Sequence, residues 1–298
     1  MTTVRVAIID VGANTLRLLV AGPSSGDVRP VHEEREQLGL GKEVERYGYI
    51  SDPKTARAAE VARTLTRKAR RLGCERVEIV VTSPGRQAAN GLEFAQALGM
   101  AAGVPARVLS AEEEGALAWD GAVGALEEIP DTVAVCDVGG GSTQMVVGTR
   151  RTGPAWVRSI DLGSLRLTER LLTGDPPTSG DVAEARAEVR AAFESVAPPM
   201  AQLALAAGGT ARALGRLAGT TLTPERLDWA IGELATLERA RIAKRFDVGP
   251  QRAKTLLAGT LLFAEIEDRL GLPLSVARTG IREGGALALF RESATAYG

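Results

Sequence analysis

The chain has one histidine and two cysteines, and only five of its 36 basic residues are lysine. Each scarcity excludes some chemistry. His32 has no second histidine with which to build a two-imidazole metal site, and in its polar stretch it reads as a solvated surface residue. Cys74 and Cys136 lack the spacing of a zinc ligand set or a disulfide framework and read as reduced core thiols. Neither is followed six positions later by arginine, so a cysteine-phosphatase loop is absent. Gly41-Lys42-Glu43 lacks the serine or threonine that completes a nucleotide-binding phosphate loop. Any hydrolysis must therefore run on carboxylates, a metal ion and backbone donors.

Net charge is nearly absent too. At -1 over 298 residues the chain has no general attraction for nucleic acid or membrane surfaces, so no duplex nucleic acid or membrane is expected as a partner. Any polyanion must be recognised locally, and arginine, the dominant base here, suits bidentate phosphate contacts. No run of about 18 apolar residues occurs, and the N-terminus enters a strand pattern almost at once, without a leader pattern. The expectation is a soluble, cytoplasmic protein of two domains.

Two loops stand out: Asp10-Val-Gly12-Ala-Asn14-Thr15 and Asp137-Val-Gly139-Gly140-Gly141-Ser142-Thr143, each after an apolar run. Each reads as a buried strand that ends at an acid and turns through glycine, so that backbone N–H groups approach an anion while the carboxylate holds a cation. A third glycine turn follows at Gly208-Gly209-Thr210. The first third reads as strands over 4–11, 16–21 and within 28–50, the last followed by a flexible loop, with a hairpin turn at Pro23-Ser-Ser-Gly26. A helix then runs over 51–72, a strand over 77–81, a helix from 82 to about 98 and a short strand at 108–109. Ser110 reads as the cap of a helix starting Ala111-Glu112-Glu113-Glu114, whose acids suit a first helical turn. From Thr132 the pattern restarts with three strands around the second loop, helices over 181–196, 210–217, 224–246 and 250–270, and strands at 203–206 and 274–277; a last helix runs through Phe290. Internal duplication is the economical reading.

Taken in order, these segments resemble the exopolyphosphatase and guanosine pentaphosphate phosphohydrolase family, within the actin, sugar kinase and heat-shock ATPase superfamily. The similarity runs through Asp10–Leu18, Thr82-Ser83-Pro-Gly-Arg86 to Asn90, Glu113-Glu114-Gly115, Asp137–Thr143, Leu162-Gly163 to Glu169, Gly208–Thr210 and Arg282-Glu283-Gly284. The resemblance implies an α/β fold of two ribonuclease-H-like domains with the site in a cleft between them. The first would cover 1–118 plus 285–298, and the second 119–284. It also implies that Glu114 is the catalytic base. Asp137, Asp10 at the matching place on the first loop, and Gln144 would serve a metal ion, magnesium or manganese in its place. Asn14, Thr15, Arg17, Arg86, Asn90, Gly139, Gly140, Gly141, Ser142, Thr143, Gly208 and Gly209 would contact phosphate.

Two positions depart from the pattern. Gln144 stands where the family usually has glutamate, and an amide can coordinate through oxygen but cannot supply charge or act as a general base. Ala13 and Thr15 stand where serine is common. Structural roles compete for some residues: Arg17, between Leu16 and Leu18, is also what a strand turns to solvent, and Arg166 with Glu169 could form a helix-start ion pair. The resemblance implies removal of terminal orthophosphate from polyphosphate, short chains among the expected substrates, with guanosine pentaphosphate as the competing substrate, by a homodimer. A sugar or acetate kinase and a non-catalytic alarmone-binding regulator are the readings from other classes.

Overall fold

The structure, a computed structural model, describes residues 4–24 and 28–296. Chain contacts divide it into two compact units, Met1–Leu126 with Thr279–Gly298, and Glu127–Arg278. The first contains β1 (Arg5–Val11), β2 (Thr15–Pro23), β3 (Val28–Gln37), α1 (Leu40–Tyr47), α2 (Asp52–Arg71), β4 (Cys74–Val81), α3 (Ser83–Gln87), α4 (Gly91–Ala102), β5 (Ala106–Val108) and α5 (Ala111–Gly124). The second contains β6 (Thr132–Val138), β7 (Thr143–Thr149), β8 (Gly153–Ile160), α6 (Ser164–Leu171), α7 (Ser179–Ala192), β9 (Leu203–Ala207), α8 (Gly208–Ala218), β10 (Thr221–Leu222), α9 (Pro224–Thr236), α10 (Arg239–Arg245), α11 (Pro250–Leu270) and β11 (Leu274–Val276). The last helix, α12 (Ile281–Ala296), belongs to the first unit.

In the first unit the strand order is β3-β2-β1-β4-β5, with β1, β2 and β3 antiparallel and β4 and β5 parallel to β1. Successive side chains on a strand face opposite ways. Ala7 and Ile9 accordingly join one core cluster with residues of α2 and α4, while Val6 and Ile8 join another with residues of α12. Burial on both faces is why β1 reads as a continuous apolar run. In the second unit the order is β10-β11-β9-β6-β7-β8, again antiparallel over β6, β7 and β8 and parallel through β9 and β11. Apart from the added edge strand β10, it is the same topology, so both units are ribonuclease-H-like α/β folds, as the sequence led us to expect. The core of the second unit gathers around α11, where Leu256, Leu262, Phe263 and Ile266 are fully buried.

Local differences from the sequence reading have physical causes. The loop expected after β3 contains α1, bracketed by Gly39 at φ 66° and Gly48 at φ 74°, with Leu40 and Val44 buried. The single helix expected over 82–98 is two, because the chain turns back between α3 and α4 so tightly that a Cβ on Gly91 would lie 1.7 Å from the Gly85 carbonyl oxygen. The hairpin turn read at Pro23–Gly26 lies partly outside the described residues. Among those described, no helix is long and apolar enough to cross a membrane.

Candidate active site

In the first unit, β1 ends at the Asp10 loop, and the loop is closed by Gly12 N–H donating to the Thr15 carbonyl (3.0 Å). The Asn14 carbonyl accepts from the N–H groups of Leu38 and Gly39 (both 2.9 Å), which ties this turn to the start of α1. Strand register sets Asp10 opposite Arg17, half-buried on the same face, and Arg17 Nε donates to Thr15 Oγ1 (3.1 Å). The three successive glutamates of α5 separate by direction. Glu113 forms the capping box, its carboxylate accepting from Ser110 N–H (2.7 Å) while its own N–H donates to Ser110 Oγ (3.0 Å), and it pairs with Arg107 (2.6 Å). Glu112 is exposed. Glu114, on the next helical position, turns inward, where Arg86 Nη1 lies 2.6 Å from its Oε2 and also donates to the Leu109 carbonyl (3.0 Å). Arg86 and Glu114 are thus brought together from 28 positions apart. Asn90 is engaged differently: its amide clips Ile50, accepting from that residue's N–H (2.9 Å) and donating to its carbonyl (2.7 Å). Arg282, buried at the start of α12, pairs with Glu33 (2.8 Å) and Glu283 (3.7 Å). Burial works against its charge, but Glu283, Glu33 and Asp10 outweigh burial and raise its pKa above the ordinary value.

The second unit repeats the turn. Gly139 N–H donates to the Ser142 carbonyl at 3.0 Å, and Asp137 stands opposite Gln144 as Asp10 stands opposite Arg17. Here the loop carbonyls are held by the start of α6: Gly139 accepts from Ser164 N–H (2.9 Å) and Oγ (3.0 Å), and Gly140 accepts from Leu165 N–H (2.9 Å) and Arg166 N–H (3.1 Å). The approach is close enough that a Cβ on Gly163 would lie 2.5 Å from the Gly140 carbonyl carbon. Thr143, fully buried, donates to the Leu162 carbonyl (2.7 Å). Gln144 is also buried, and its Nε2 donates to Ser142 Oγ (2.8 Å) and to Ser159 Oγ (3.3 Å) across the register. Gly208, at φ 84°, begins α8 directly against Asp137, and a Cβ there would lie 2.2 Å from Asp137 Oδ1. Thr210 donates to the Val138 carbonyl (2.8 Å) and accepts from Arg252 Nη1 (2.7 Å).

A model of the Ppx/GppA phosphatase family matches residues 19–291. The chain belongs to the Ppx/GppA phosphatase family. It is similar to Exopolyphosphatase 2 of Mycobacterium tuberculosis, 31% identical with 97% of this chain and 99% of that one covered. Among solved structures, a Ppx/GppA family member from Aquifex aeolicus superposes with a TM-score of 0.83 at 27% identity, over 97% of this chain and 98% of that chain. An exopolyphosphatase-like protein superposes with a TM-score of 0.87 at 26% identity, over 98% and 99%. Membership makes this chain a phosphatase, and so a hydrolase.

Ppx/GppA membership also points to a divalent cation. Among the described residues no three His, Cys, Asp or Glu side chains are grouped to cage a metal. Magnesium does not need such a cage, since it retains water and is completed by substrate phosphates around one or two carboxylates. Asp137 fits that use: its carboxylate lies over the glycine backbone of Gly208, in a space that any larger residue would fill. Sequence reasoning missed Arg252 and Ser159, which support the Ppx/GppA glycine loop through Thr210 and Gln144. Neither stands in a local motif, and only helix packing and strand register bring them there.

Proposed function

We propose that this chain is an exopolyphosphatase that removes terminal orthophosphate from inorganic polyphosphate by attack of a Glu114-activated water. The observation that carries the reading is the sorting of Glu112, Glu113 and Glu114: only the last is turned inward, where Arg86 holds it, whereas Glu113 meets Arg107 at the surface. A general base must be held in one place, and Arg86 is a positioning residue for that carboxylate. The similarity to a protein named Exopolyphosphatase 2 over nearly the whole of both chains supports polyphosphate as the substrate.

In this reading Glu114 takes the proton of the attacking water as its oxygen bonds to the terminal phosphorus. The bridging P–O bond breaks, and orthophosphate leaves with the chain shortened by one phosphate. Backbone N–H groups of Gly140, Gly141, Ser142 and Thr143 receive the terminal phosphate beside the N-terminus of α8, where Gly208 and Gly209 add donors, while Gly139, whose own N–H closes the turn on the Ser142 carbonyl, lets the phosphate approach the backbone. Asn14, Thr15 and Arg17, on the Asp10 loop of the first unit, are further phosphate contacts in this reading. Magnesium, or manganese in its place, would be held by Asp137 and Gln144, with Asp10 the matching acid on the first loop, and when bound would supply charge neutralisation on the nonbridging oxygens. A homodimer in the cytoplasm is part of the same proposal, and sedimentation of the pure protein tests its assembly.

The experiment is phosphate release from polyphosphates of several lengths, guanosine pentaphosphate and ATP, by wild type and Glu114→Gln. Polyphosphate should be the best substrate, and Glu114→Gln should lose at least about 10²-fold in kcat. Preference for guanosine pentaphosphate overturns the substrate, and full activity of Glu114→Gln overturns the base.

A further inference from the structure

The C-terminal half of α2 carries Arg63, Arg67, Arg70 and Arg71, all exposed. At about 3.6 residues per turn they share one face of the helix. The helix dipole accounts for cations in the last turn, such as Arg70 and Arg71, but it does not reach Arg63 and Arg67. Like charges four residues apart, as in Arg63/Arg67 and Arg67/Arg71, repel one another. Among the described residues no carboxylate is paired with Arg63, Arg67, Arg70 or Arg71. Among the described residues Arg63, Arg67 and Arg71 make no hydrogen bond or ion pair, and Arg70 donates only to the carbonyls of Cys74 (3.2 Å) and Glu75 (2.7 Å). Glu60, the nearest acid on the helix, is paired with Arg57 (2.8 Å).

Beside the stripe lies a groove of about 520 Å³ between the end of α2 and the turn after α4, lined in part by Thr66, Arg67, Arg70, Arg71, Gly103 and Val104. Thr66, 4% exposed, forms part of its wall. A helical threonine ordinarily bonds the carbonyl one turn back, as Thr64 does with Glu60 (2.9 Å), yet the buried Thr66 hydroxyl has no partner among the described residues. A buried hydroxyl left unmatched is unfavourable until something bonds to it. The groove is not part of the site described above. β1 and β4 run parallel with Arg5 near Cys74 and Asp10 opposite Val80, so the end of α2 lies at the edge of the sheet away from Asp10, roughly 17 Å along the strand.

We propose that this groove and its arginine stripe bind the phosphate chain of a polyphosphate away from its reacting end. The proposal rests on the polyphosphate reading above. Guanidinium groups pair bidentately with phosphate oxygens, and Arg63 to Arg71 extend roughly 12 Å along the helix axis, enough to follow several units of a linear chain. The Thr66 hydroxyl, closed off in the groove wall, donates to a phosphate oxygen once a shift of the wall side chains uncovers it. A stripe one helix wide beside a groove suits a single flexible polyanion better than a duplex.

The test is equilibrium binding of fluorescein-tagged long-chain polyphosphate, followed by anisotropy in EDTA, with hydrolysis of tripolyphosphate measured in parallel. The triple variant Arg63→Gln/Arg67→Gln/Arg71→Gln should bind the long chain about tenfold more weakly at low salt. Its slope of log Kd against log salt should fall by about 2, as expected for three lost phosphate contacts. Tripolyphosphate hydrolysis should be unchanged. Thr66→Val, which leaves the charge intact, should weaken long-chain binding about threefold without lowering the Tm. Unchanged long-chain binding by the triple variant overturns the proposal, as does an equal loss on tripolyphosphate, or a loss confined to single-stranded nucleic acid. If wild type releases no phosphate from any polyphosphate but its long-chain binding still depends on the arginines, the hydrolase reading fails and the binding site stands.

Discussion

Glu112, Glu113 and Glu114 have the same side chain, and their roles are set only by the direction each takes from the helix. The cap was legible in the sequence as Ser110 ahead of three acids, and the structure adds that Glu113 answers it to complete a capping box. The partner of Glu114 was not legible, because Arg86 reaches it from α3. At the second loop the same lesson concerns Gln144, whose Nε2 is donated to two serine hydroxyls. Gln144→Glu keeps both contacts, since a serine can donate as well as accept, and sets a second carboxylate opposite Asp137. The concentration of magnesium needed for half-maximal phosphate release should fall, and an unchanged titration would count against position 144 facing the cation. Gly208→Ala should be severe. It combines a φ of 84° with a Cβ 2.2 Å from Asp137 Oδ1, so a loss of about 1–3 kcal/mol in urea unfolding is expected together with loss of phosphate release.

At the scale of elements, the position of α5 is fixed by α12. A Cβ on Gly121 would lie 1.9 Å from the Gly280 carbonyl oxygen, and one on Gly284 would lie 1.9 Å from that of Leu117, so the two helices meet backbone to backbone. Thr279 Oγ1 adds a hydrogen bond to the Gly121 carbonyl (2.6 Å), and Glu283 accepts from Gly280 N–H (2.8 Å) at the start of α12. Gly284→Ala should push the helices apart, at a stability cost of about 1–3 kcal/mol by denaturant titration. Because α5 carries Glu114, kcat should fall as well, and a variant with full stability and activity would show that the contact is not needed. In the sequence Arg282-Glu283-Gly284 was visible as a motif, but its reason was not. Strands and long helices were legible because their periodicity is intrinsic to each segment. The short helix α1 and the break between α3 and α4 were not, since glycines that terminate helices and glycines that allow close approach look alike until the opposing backbone is in place.

For the molecule as a whole, the two cores bury both thiols. Burial pushes Cys74 up to about 11, and it pushes Cys136 up as well, with Asp137 adding to the effect, so neither should react with iodoacetamide in the native state. Stability against pH has its own marker in the second unit. Desolvation raises the Glu267 carboxyl above its ordinary value of 4.5, and the charges of Asp268, Glu225 and Asp228 add to it, while Arg186, Arg190 and the Arg269–Glu265 pair lie in the same region. The folded state therefore holds this proton more tightly than the unfolded chain. The favourable contribution is complete below 4.5 and is lost as pH rises through the raised value. Glu267→Gln should raise the Tm at neutral pH, with the gain shrinking toward pH 4; an equal gain at both would remove Glu267 as its cause. The sequence by itself determined the two repeated Asp-Gly turns, their strands and the family, because buried strands and glycine loops impose their own local patterns. Tertiary structure decided which polar groups work together: Arg86 with Glu114, Arg252 with Thr210, and Gln144 with Ser159. Those pairings join residues from different elements, and only packing and strand register select them.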